Sequence, residues 1–213
     1  MSKRKRKGEK QKWWPEPLYV HDVRASDQNR PVCRFFVDGA CSGNHHKDQQ
    51  QRNAGFGVYC EQSKWTHSDA LQAPCSNNRA ELKAVVYILD TLLNANAETL
   101  RQKFNIEGES EICIIGDNQY ALKIVTEWLP NWRAKNYLKK DGSPVLNIDL
   151  VQELEALLHE FDAREWPLSV QWVRAHLPEP KNAAKDSQEW RMWHGNDTAD
   201  RLARKGGEKP LQS

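Results

Sequence analysis

No stretch of the 213-residue chain is apolar for long enough to span a bilayer, and its basic, polar start lacks the apolar segment of a secretory signal. Cysteine is sparse and scattered. Cys33, Cys41, Cys60, Cys75 and Cys113 include no CxxC pair, which argues against both a disulfide framework and a zinc site, and favours reduced thiols in a nuclear or cytosolic compartment. No internal repeat is visible. The overall balance of charge is also small, a net +2, but it is unevenly divided. Residues 1–12 hold seven Lys/Arg against Glu9, or +6, so the rest of the chain sums to −4. A globule of that sign has no general attraction for polyphosphate, so nucleic-acid binding would need a local basic patch and bound cations.

The remaining pattern is that of one domain with arms. Residues 1–31 read as a basic tail and linker, with the KRKRK run at Lys3–Lys7 a candidate nuclear import signal or nucleic-acid arm and Trp13–Trp14 free to pack on the domain. The domain is expected over 32–206, with a short tail at 207–213. Val32 to Asp38, Ala54 to Cys60 and Lys64 to Ala70 read as an antiparallel meander of three strands. A helix opens at Asn78, because Leu82, Val85, Val86, Leu89, Leu92 and Leu93 form a stripe along one helical face. Glu111 to Gly116 is a buried strand, and a helix follows from about Asn118 to Trp128, closed by Pro130. Ile148 to Phe161 is amphipathic, Ser169 to Arg174 reads as the last strand, and Asn196 to Lys205 as a final helix. The polar stretch Leu177 to Gly195 is expected as a mobile loop. Strands first, then alternating helices and strands, imply an α/β fold with a mixed five-stranded sheet flanked by helices.

Four acids stand where such a fold can gather them. Asp38 and Asp117 end strands that can be neighbours, Glu81 lies in a first helical turn, and Asp200 lies early in the last helix. Each has a bland alternative: Asn78-x-x-Glu81 is a capping box, Asp38-Gly39 a turn, Asp117 a helix cap, and Asp197 a cap that leaves Asp200 facing the helix dipole. Jointly, carboxylates crowded at element ends repel unless cations bind between them, and oxygen donors suit Mg²⁺ or Mn²⁺. Two such ions about 4 Å apart activate a water and stabilise the leaving oxygen of a phosphodiester.

The residues around these acids sharpen the reading. Phe35-Phe36-Val37-Asp38-Gly39-Ala40-Cys41-Ser42-Gly43-Asn44, Asn77-Asn78-Arg79-Ala80-Glu81-Leu82, Gly116-Asp117-Asn118-Gln119-Tyr120 and Asn196-Asp197-Thr198-Ala199-Asp200-Arg201-Leu202-Ala203 resemble, in order, the four site motifs of type 1 ribonucleases H. The resemblance implies a ribonuclease H-like fold and sequence-independent hydrolysis of the RNA strand of RNA–DNA hybrids, leaving 5′-phosphate ends. It implies Asp38, Glu81, Asp117 and Asp200 as ligands of two Mg²⁺, with Mn²⁺ a possible substitute, and His176 as the loop histidine that shuttles a proton or helps product leave. It matches the Cys41–Asn44 turn, with Ser42, and Asn77, Asn78 and Glu81 to groups that read the ribose 2′-hydroxyl. Asn44, Ser76 and Asn147 match a phosphate pocket for the DNA strand. Gln119 is a further substrate contact, and Trp128, Trp132 and Tyr120 match aromatics lining the DNA groove, with a core role for Trp128 as the alternative. Arg133, Lys135, Lys139 and Lys140 supply the basic patch.

The chain departs from the family pattern after His176, where 20 residues separate it from Asp197, and again at the polar insertion His45 to Asn53, expected as a solvated hairpin tip. No separate hybrid-binding module is evident, and the basic tail is a candidate replacement. Other readings stay open: a catalytically silent hybrid-binding protein, a retroelement-derived ribonuclease H unit, or a DNA-directed nuclease of related fold. A monomer without membrane attachment is expected, in the nucleus or cytosol.

Overall fold

The computed structural model describes residues 19–21, 30–108 and 110–210. The basic tail, the Trp13–Trp14 pair and the last three residues lie outside this range. Six strands form one mixed sheet: β1 (Tyr19–His21), β2 (Val32–Ser42), β3 (Asn53–Cys60), β4 (Thr66–Leu71), β5 (Glu111–Gly116) and β6 (Leu168–Trp172), in spatial order β1-β6-β5-β2-β3-β4. β2, β3 and β4 make the expected antiparallel meander, and β2, β5 and β6 run parallel. The expected five strands are therefore present, with β1 added antiparallel along β6 from within the stretch assigned to tail and linker.

β2 is buried on both faces, which is why its sequence is a continuous apolar run rather than an alternation. Phe35 and Val37 face one core with α1 (Asn77–Asn94) and α5 (Ile148–Ala163), while Phe36 joins Tyr59, Cys113, Ile115 and Met192 in a second core under α6 (Gln188–Gly207). The sheet is thus the middle layer of three. A short helix α2 (Ala97–Thr99) runs into a π turn, Leu100–Phe104, and precedes β5. Glycine lets α6 lie this close: a Cβ on Gly57 of β3 would stand 2.5 Å from the Ala199 carbonyl oxygen.

Several expected boundaries move. The helix after β5 does not stop before Pro130. It runs as α3 (Gln119–Lys123), a π turn (Ile124–Trp128) and α4 (Leu129–Ala134), with Pro130 in the first turn of α4, where its missing N–H breaks no ladder bond. The last helix begins at Gln188, not Asn196, because Ser187 caps it, its hydroxyl oxygen accepting the Trp190 N–H at 3.2 Å. Residues 188–195, expected as loop, are therefore helical, and Asp197 is a mid-helix residue paired with Arg201.

Candidate active site

Asp38 does not end its strand. β2 continues through Ser42, paired with β3, so Cys41 and Ser42 are strand residues opposite Ala54 and Asn53, and the turn begins at Gly43. On the other side, the pairing between β2 and the shorter β5 ends at Phe36↔Ile115; two residues beyond these stand Asp38, still in β2, and Asp117, just past the end of β5. A crevice at the carboxyl end of β5 is the result. Gly39 is what admits α1 to it: a Cβ there would sit 2.1 Å from the Glu81 backbone nitrogen. Its use is close approach rather than a turn.

Glu81 is consequently buried instead of closing a capping box. The cap of α1 is Ser76, whose hydroxyl accepts the Arg79 N–H at 3.2 Å. Likewise Asn118, not Asp117, caps α3, its Oδ1 accepting from the Tyr120 and Ala121 N–H groups at 2.8 and 3.2 Å. Neither acid is used as a cap. Ligand oxygens of Asp38, Glu81 and Asp117 lie within 4.8 Å of one another. Asp200 is not in that tight trio. It stands close enough to act electrostatically on Asp38 and Asp117, and it pairs with Arg204 at 2.7 Å.

Protonation reflects the crowding. Burial first, then the charges of Asp117 and Asp200, push the Asp38 carboxyl from 3.8 up to about 8. Glu81 is raised well above its ordinary value by burial and by Asp38 and Asp117. Asp117 is raised by burial, against which a hydrogen bond from Asn196 and the charge of His176 act. Three carboxylates that cannot share one crevice as bare anions are a donor set that fits a hard divalent cation.

Asn196 is a site residue that sequence reasoning passed over as a mere helix start. Its Nδ2 donates to Asp117 Oδ2 at 3.0 Å, and the Trp172 indole N–H donates to the Asp117 carbonyl at 2.8 Å. The available signal was its position four residues before Asp200, on the same face of α6. His176 lies on the loop after β6 with φ 51° and borders a cavity together with Asn196 and Asp200.

The expected substrate residues fall into two groups. Asn44, Ser76, Asn77 and Asn78 gather at the start of α1, where Asn44 Oδ1 accepts the Asn77 N–H at 3.3 Å and Asn78 Oδ1 accepts from Asn118 at 3.2 Å. Tyr120, Trp128 and Trp132 form a chain of rings with centroids 5.8 and 5.4 Å apart, half-buried against the α1–α5 core, so Trp128 serves core and surface at once. Asn147 donates to the Tyr120 hydroxyl at 3.1 Å and so stands with the aromatic group. Gln119 and Lys135 are exposed, as are Lys139 and Lys140. Cys41 is partly buried, with its side chain packed against the small cluster Ala54, Leu71, Cys75 and Ala80. Arg133 of the expected basic patch is also exposed, and its guanidinium pairs with Glu155 of α5.

The insertion at His45 to Asn53 is a fastened element. Asp48 caps a 3-10 turn, Gln49–Gln51, and Arg52 donates to the His46 carbonyl and, at 2.9 Å, to the Cys75 carbonyl just before α1.

The sequence profile of the RNase H family matches residues 30–208, and the chain belongs to that family. It is 32% identical over 184 residues to the ribonuclease H of Polynucleobacter asymbioticus, covering 86% of this chain and 94% of that one. It is 33% identical to the ribonuclease H of Bordetella avium, with 82% and 90% covered. Among solved structures, the RNase H domain of PFV superimposes with a TM-score of 0.57 at 19% identity, covering 85% of this chain and 98% of the other. LC9-RNase H1, a type 1 RNase H with the type 2 active-site motif, gives 0.58 at 19%, with 88% and 77% covered. At such identity these two speak for the fold.

Proposed function

We propose that the protein is an endoribonuclease that hydrolyses the RNA strand of RNA–DNA hybrids without regard to base sequence, leaving 5′-phosphate ends. The observation that carries this reading is the convergence of Asp38, Glu81 and Asp117 at the end of β5, with Asp200 of α6 close enough to act electrostatically on Asp38 and Asp117. In this reading the four acids hold two Mg²⁺, for which Mn²⁺ can substitute. When bound, the ions supply Lewis acidity for the attacking water and the departing oxygen. Asn196 orients Asp117, and His176 moves a proton or aids product release. Backbone and amides at the start of α1 read the 2′-hydroxyl; Tyr120, Trp128 and Trp132 pack on the DNA strand. Ser76 still has its hydroxyl proton to donate to a phosphate while it caps α1.

A part of a foamy viral protease–reverse transcriptase solved with an RNA/DNA hybrid, 22% of that chain, shares the fold, with a TM-score of 0.60 at 18% identity over 91% of this chain. The relatives named above are bacterial, which leaves a nuclear address without support; we propose the cytosol, with the protein acting as a monomer. Among the described residues no helix is long and apolar enough to cross a membrane.

Strand-specific cleavage tests the reading. A labelled RNA–DNA hybrid with Mg²⁺ should be cut in its RNA strand only, beside intact double-stranded RNA and DNA, and cutting should vanish with EDTA or Asp117→Asn. Binding of hybrid without cutting would replace the enzyme by a silent hybrid-binding protein.

A further inference from the structure

His176 is held in the left-handed backbone region, φ 51°, which is unfavourable for a non-glycine residue and persists only where neighbours over-determine it. Two anchors bracket it. Before it, the Val173 N–H donates to the Gly116 carbonyl at 3.0 Å, next to Asp117. After it, the Trp193 indole N–H donates to the Leu177 carbonyl at 3.0 Å.

Trp193 belongs to the part of α6 that precedes the site motif, residues 188–195, and that part has its own foundation. Arg191 Nε donates to the buried Glu61 at 2.5 Å, and Arg34 of β2 lies 3.5 Å from the same carboxylate. Trp190 stacks on His194 at 4.4 Å, and His194 meets Tyr59 of β3 edge-on at 5.7 Å. The extension is thereby fastened where β2 begins and β3 ends, and it reaches the histidine loop through Trp193. Loop and helix enclose a cavity of about 60 Å³, bordered by His176, Trp193, Asn196 and Asp200. Asn196 Oδ1 is buried with no partner among the described residues, so an acceptor stands open beside the loop.

We propose that residues 188–195 form a positioning device for His176, with Trp193 as the positioning residue and the Arg191–Glu61 pair as its anchor. It rests on the cleavage reading above. A group that transfers a proton or releases product is effective only when held in place, and a displacement of about 1 Å costs on the order of 100-fold. In this chain a helical strut does the holding, so the long polar insertion fixes the loop.

Trp193→Phe removes the indole N–H while keeping an aromatic ring, and Arg191→Met breaks the anchor without touching the loop. With wild type cutting hybrid, Trp193→Phe should lower kcat on the order of tenfold with KM unchanged. His176→Ala should lower it at least as far, and the double variant should lose no more than His176→Ala alone. Arg191→Met should shift kcat in the same direction. Losses that multiply in the double variant, or an unchanged kcat in folded Trp193→Phe, would overturn the proposal. The imidazole resonances of His176 give a second readout that needs no activity: they should move toward those of a free side chain in both variants. Wild type that fails to cut would remove the cleavage reading alone, and unchanged His176 resonances would remove the strut.

Discussion

Asp38→Asn should make the metal-free protein more stable at pH 8, and the sign follows from the crowding. The folded state raises the Asp38 carboxyl from 3.8 to about 8, so between those values the folded protein binds more protons than the unfolded chain. The contribution of Asp38 to stability is therefore greatest below the lower value and is lost as pH rises toward 8. Each unit is worth about 1.4 kcal/mol, which makes the full shift an upper bound of about 6 kcal/mol. Much of that is the cost of burying the charge, part is repulsion by Asp117 and Asp200, and hydrogen bonds from Glu81 and the Gly39 N–H act against it, so about 2–3 kcal/mol is the gain expected from one neutralisation. Asn retains an Oδ1 for the Gly39 N–H, which Asp38 accepts at 2.7 Å. For a chain of this size the gain is a rise of about 5–10 °C in Tm. Thermal melts with EDTA at pH 8 and pH 5 check it: the gap should be wide at pH 8 and narrow at pH 5. Saturating Mg²⁺ should raise the wild-type Tm at pH 8 and close the gap. A variant equal to or less stable than wild type at pH 8 in EDTA would refute the account of the cluster.

Three further expectations test other parts of the site. Gly39→Ala should cost several kcal/mol in a denaturant melt together with cleavage activity, because the new Cβ meets the backbone of Glu81 at 2.1 Å. Asn196→Ala should weaken Mg²⁺ binding about 10–100-fold, read as a shift in the Mg²⁺ midpoint of the Tm rise, since Asp117 loses its orienting donor. Replacing Lys135 and Lys139 together by alanine should reduce the salt slope of hybrid binding by about 2, whereas Arg133→Ala should change it little because Glu155 already engages that charge.

How much of this was legible beforehand depended on range. The helical stripe of α1, the apolar run of β2 and the four motifs are local patterns, and the sheet they implied is the one observed, apart from β1. The boundaries that moved did so through partners invisible to a local reading. The helix after β5 passes Pro130 because a π turn ahead of it leaves that N–H unneeded. α6 starts at Gln188 because Ser187 caps it and Arg191 finds Glu61, a residue 130 positions away.

The residue types at Asp38, Glu81, Asp117 and Asp200, with their flanking motifs, follow from the sequence by itself, and so does a chemistry that asks for hard cations. Only the tertiary structure decided that three of the acids meet tightly while Asp200 is paired aside, that Gly39 serves close approach, and that Asn196 holds Asp117. Those outcomes depend on distances between elements, which packing sets: a missing Cβ brings α1 to Asp38, and a partly buried ion pair, Arg191–Glu61, ties the start of α6 to the end of β3. Chemical capacity is written residue by residue, whereas proximity belongs to the folded chain as a whole.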